Sequence, residues 1–159
     1  MLHNTLIAVH ALAAVISLVA GSLLVFVPRH MTERRLFGVY LWSLVGMVVF
    51  MLLAIVVGWQ QENDMEHILY SGLFLLGLYM VYRATKAREV QEARPAGWRG
   101  TAIDHIGFTL ISLLEGFIIV AAIDLGVTGW IIVIAAIVGL LAGRWAIQMA
   151  KSRVRQAMG

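Results

Sequence analysis

The sequence predicts an all-α integral membrane protein, a bundle of five transmembrane helices with the N-terminus outside and the C-terminus inside. Three observations carry this expectation. Of the 159 residues, 61% are apolar and only 13% charged, with a mean hydropathy of +0.88. An ordinary soluble domain carries about 25% charged residues, and a fold this small leaves much of its chain facing the solvent. Lipid therefore has to serve as solvent for the surplus. The apolar residues also gather into five stretches near the length of about 20 residues that crosses a hydrocarbon core. Finally, all twelve Lys and Arg residues fall on one side of the resulting topology.

The first stretch, 5–27, is ended by Pro28. A secretory signal needs a basic n-region and a short apolar core. Residues 1–4 carry no Lys or Arg and the apolar run is long enough to span, so it reads as the first helix. The second span is 37–59. The third, 67–82, is short and carries Tyr70, Ser71, Tyr79 and Tyr82, with Arg83 to reach the headgroups. The fourth is 104–124 and the fifth 130–149, all within one domain covering 1–159. The connection 83–100, with Pro95 and Gly97, is mixed in charge and is expected to be a cytoplasmic linker, with partial helix as the alternative.

Charge sets the orientation. Arg29, Arg34 and Arg35 lie between spans one and two, and Arg83, Lys86, Arg88, Arg94 and Arg99 between three and four. Arg144, Lys151, Arg153 and Arg155 lie at the C-terminal end. The other side has Glu62, Asp64, Glu66 and Asp124 and no base. Basic residues are retained on the cytoplasmic side, so a multi-pass protein of the cytoplasmic (inner) membrane is expected. The same segregation turns the net charge of +3 toward anionic lipid, with the bilayer as partner and no nucleic acid. Trp59, Trp130 and Trp145 fall near span ends, as interfacial anchors do. The absence of cysteine excludes disulfides, thiolate metal sites and Cys nucleophiles. No Ser/His/Asp arrangement, phosphate-binding glycine loop or nucleotide motif is visible. Five spans also do not divide into two equal inverted halves, which argues against a repeat-built transporter.

Glu115 stands out as a candidate proton-binding or ligand-binding residue. It lies about 16 Å into the fourth span, near the bilayer midplane, where an ionised carboxylate is costly. It is expected to face other helices and to be protonated, paired or wetted, with Ser112 one turn away as its hydrogen-bond partner. Asp104, three turns earlier on nearly the same face, completes the set, with Arg144 as its expected cation. Packing specificity alone is the competing reading of these polar groups.

The five histidines divide into two groups. His3, His10 and His67 belong to the outer side, and His30 and His105 to the inner side. His3 and His10 are seven apart and share a helix face. Imidazole is the commonest ligand where thiolates are missing. A haem b or divalent-metal site near the outer face would use His10 and His67, with His3 or Glu66 as further ligands. An inner pair would come from His30 and His105. Interfacial histidines without a ligand remain the alternative. Met47 and Met51, one turn apart, can ligate soft copper or simply pack. Gly139 and Gly143 form a GxxxG, which allows close helix approach within the bundle or in a homo-oligomer.

The segment with His10, Gly21 and Arg34-Arg35-Leu36-Phe37-Gly38 resembles small bacterial polytopic membrane proteins grouped with b561-like cytochromes, over residues 8–50. Where that pattern has a His before the second helix, this chain has Arg34. The resemblance implies a helical bundle and haem chemistry. Three functions follow as expectations. One is a binding or redox protein with a histidine-ligated haem or metal. Another is a proton-linked transporter or channel subunit centred on Glu115. The third is an accessory or scaffold subunit.

Overall fold

The computed structural model describes residues 2–59, 64–126 and 129–156, and these are helical almost throughout. Five α-helices follow one another: α1 (Leu2–Phe26), α2 (Arg34–Gly58), α3 (Asp64–Ala93), α4 (Trp98–Asp124) and α5 (Gly129–Gln156), with a 3-10 turn, Pro28–Thr32, between α1 and α2. Among the described residues three stretches are long and apolar enough to cross a membrane: α1, α2 and the Trp98–Ala122 part of α4.

Pro28 ends α1 as the sequence indicates. Lacking an N–H, it can only open a helical segment, here the 3-10 turn that reverses the chain. Thr32 donates to Arg29 O and the His30 ring donates to the Glu33 carboxylate at 2.6 Å, so the turn is self-bonded.

The third helix departs from expectation. It does not stop near Tyr82 but runs eleven residues further, and the supposed 83–100 linker shrinks to Arg94–Gly97. The reason is local. Lys86 pairs with Glu89 and Arg88 with Glu92 at helical spacings. The Glu89 carboxylate holds the Lys86 ammonium above the usual lysine range. Ala84 and Ala87 pack with no exposure, and Gln91 is buried, donating its side-chain amide to Met31 O at 2.9 Å. Charged residues that suggest a loop when read one by one are here the solvated face of an amphipathic helix. Arg94 and Gly97, both at positive φ (47° and 74°), then turn the chain into α4.

Helices α1, α2, α3 and α4 form a closed ring, each packed on the next and α4 back on α1, while α5 packs on α4. Gln91 ties α3 to the α1–α2 turn, and Lys151 of α5 meets Asp104 of α4 at 2.6 Å. The basic connections thus lie together at one end, called here the basic end. Packing is densest there. The largest fully buried side chains, among them Leu24, Phe37, Tyr40, Leu44, Ile103 and Ile106, all lie in that half. At Gly21 of α1 both α2 and α4 come close: a Cβ there would lie 2.8 Å from Leu110 Cδ2 and 3.0 Å from the Tyr40 ring. Ser17 donates to Ser43 Oγ at 2.6 Å, because the Ser43 hydroxyl proton already goes to Tyr40 O.

Candidate ligand site

The other half of the ring is less filled. A cavity of about 290 Å³ lies among α1, α2, α3 and α4, lined almost wholly by aliphatic and aromatic side chains. His10, Met47, Met51, Met80 and Ser112 are the lining residues that carry heteroatoms, and a Cβ on Gly116, also in the lining, would meet open space. A hydrophobic void of this size is what an apolar small molecule fills.

His10 is held there by α2. Its Nδ1–H donates to Met47 O at 2.8 Å, using the second lone pair of a carbonyl already engaged in the helix. His3, one heptad earlier on the same face, donates in the same way to Ala54 O at 3.1 Å. The shared face expected from their spacing is real, and it faces α2.

The residues proposed for haem or metal ligation are not brought together. His67 donates from Nε2 to Trp59 O at 2.9 Å and stacks on the Trp59 ring at 4.2 Å. Met47 and Trp59 are twelve residues apart on α2, about 18 Å along its axis. Two imidazoles on one ion stand about 4 Å apart, twice a metal–imidazole bond. His10 and His67 therefore do not fit around one ion or one haem iron. The Glu66 side chain lies outside the described residues. Among the described residues no three His, Asp or Glu groups gather as a metal site. At the basic end His30 is engaged with Glu33, and the His105 Nδ1 is buried with no hydrogen-bond partner among the described residues.

The set Glu115, Asp104 and Ser112 is divided between two faces of α4. Ser112 lines the cavity. Glu115 points the other way, with Cγ and Oε1 both 3.6 Å from where a Cβ on Gly139 of α5 would lie. Its Oε1 is buried with no partner among the described residues, so the expected bond between this oxygen and Ser112 is not made. Asp104 shares the α5 face, but its partner is Lys151 rather than Arg144, and its carbonyl accepts from Arg83 at 2.9 Å.

The Gly139/Gly143 pair is used within the chain. Gly107 takes Ile147, Gly143 takes Ile111 and Gly139 takes Glu115, a ladder in which each step is four residues on both helices. Sequence reading found one half of it, the GxxxG. The other half, Gly107, Ile111 and Glu115 at the same spacing on α4, was legible too. The cavity was not, because Met80 and Gly116 acquire meaning only when α3 and α4 face His10. No family model matches this chain, and neither a curated protein nor a solved structure does.

Proposed function

We propose that the chain is a multi-pass binding protein of the cytoplasmic membrane that takes a small lipophilic molecule into the α1–α4 cavity, with His10 as its polar anchor. The observation that carries this is the cavity itself: apolar, about 290 Å³, with a single imidazole on its wall. The basic end faces the cytoplasm, by the tendency of Lys and Arg to stay inside, so the cavity belongs to the outer half of the bilayer. All five helices span, α3 reaching well beyond the headgroups. Lipophiles reach such a site from the bilayer, and no aqueous channel is required.

The test is saturable binding of an arene such as naphthalene to purified protein in nanodiscs, with protein-free nanodiscs subtracted. One site per chain is expected, with a rise in melting temperature as the native state is ligated. Gly116→Phe, which grows into open space, should abolish binding while circular dichroism stays helical. Equal uptake by both proteins defeats the reading.

One observation favours a second reading. His10 shares the wall with three thioethers, of Met47, Met51 and Met80, an N/S set suited to Cu(I). Stoichiometric Cu(I) retention lost in Met47→Leu would support it, and a Soret band in the purified protein would return haem to consideration. Glu115, on the far side of α4, serves neither site directly, so a proton-linked activity centred on it would run separately along the α4–α5 seam.

A further inference from the structure

We infer that the cavity selects hydroxyl-donating lipophiles, phenols foremost, over molecules of the same shape that can only accept hydrogen bonds. This rests on the cavity being a ligand site and goes on to name the chemistry it prefers.

A carbonyl oxygen accepts and cannot donate. The 2.8 Å bond from His10 to Met47 O therefore fixes a proton on Nδ1. In the neutral ring Nε2 is then a bare lone pair, a good acceptor with nothing to give. The three methionine sulfurs on the wall are weak acceptors as well. Among the described lining residues the side chain with a proton to offer is that of Ser112, since the Nδ1–H of His10 is spent on Met47 O. The wall is rich in acceptors and poor in donors.

A polar group carried into such a place costs free energy unless it is hydrogen-bonded. A ligand hydroxyl meets this condition at His10 Nε2, and gives up its water bonds without loss. An ether or ketone oxygen finds a donor at Ser112 alone among the described lining residues, and lone pairs at His10 and the methionines. The rest of the ligand needs only to be apolar and about the size of two fused rings. The Met47 bond is thus a specificity device: it chooses the tautomer, and the tautomer chooses the ligand.

The experiment compares 1-naphthol with 1-methoxynaphthalene, in which a methyl group replaces the donor proton, and with 1-ethylnaphthalene, which matches the bulk of the ether without its oxygen, by equilibrium dialysis against wild-type protein in nanodiscs with empty nanodiscs subtracted. The naphthol should bind about tenfold more tightly than the ether, the worth of one buried hydrogen bond. His10→Phe should remove the difference while still binding both arenes, and Ser112→Ala should preserve it. Equal affinities in wild type overturn the donor preference and leave the cavity reading standing. A preference lost in Ser112→Ala but kept in His10→Phe assigns the anchor to the wrong residue and overturns the proposal. Binding of neither arene overturns the cavity reading and the preference together.

Discussion

A hydrogen bond from an imidazole to a main-chain carbonyl does two things at once: it holds the ring and decides which nitrogen stays free. At His3 and His10 the proton sits on Nδ1 and Nε2 is left as the acceptor, whereas at His67 it is Nε2 that donates. Glu115 is the opposite case, a polar atom for which the fold supplies nothing. Depth in the span flags its cost from sequence alone, and the expectation that it faces another helix agrees with its contact at Gly139. What sequence does not give is its partner: Ser112, three residues away, sits only about 60° around the helix, near enough to pair, yet it lines the cavity while Glu115 turns to Gly139 of α5. This reverses one consequence. Glu115→Leu strands nothing on Ser112 and removes a buried, unpaired oxygen, so it should stabilise the protein by about 1 kcal/mol. Thermal unfolding in detergent checks this, with Glu115→Gln expected close to wild type. A Leu variant that melts well below wild type contradicts it.

The α4 helix works with two faces. Gly107, Ile111 and Glu115 meet α5, while Ser112, Leu113 and Gly116 look into the ring. The α5 side is a notch-and-knob seam, and the three glycines are unequal in it. A Cβ at Gly143 would lie 2.5 Å from Ile111 Cγ1, and one at Gly107 would collide with Ile147, whereas one at Gly139 meets only ordinary contacts at 3.6 Å. Gly107→Ala and Gly143→Ala should each cost about 1–3 kcal/mol by overpacking, and Gly139→Ala less than about 0.5 kcal/mol. Melting temperatures of the three variants test the order, and a uniform response would deny the seam. The α3 helix makes a different point about elements. Its end could not be read from hydropathy, which stops with the apolar run, and it is the 86–92 ion pairs and the buried Gln91 that carry it on.

At the scale of the whole molecule, the sequence made the helix count and the placement of the basic connections legible, because length, hydropathy and charge are properties of segments. Five helices appear among the described residues; α1 and α2 keep within three residues of the expected spans, whereas α3 ends eleven residues later, α4 begins six earlier and α5 ends seven later. The ring closure of α4 on α1 was not legible, since it depends on which faces meet, and the cavity exists only through that closure. The absence of native cysteine makes the topology easy to test. Single cysteines at Asn63 and Ala96 should be labelled by impermeant maleimide from opposite sides of sealed vesicles, Ala96 only from the cytoplasmic face. Labelling of both from one side defeats the five-span arrangement.

The docking of α5 on α4 alone among its principal neighbours makes it the element the bundle can spare. The ring of α1 to α4 closes through its own contacts, so α5 can detach while the cavity keeps its walls. Its amides should then exchange with deuterium sooner than those of α1 and α2. Opening of the molecule starts at the α4–α5 seam and stops there.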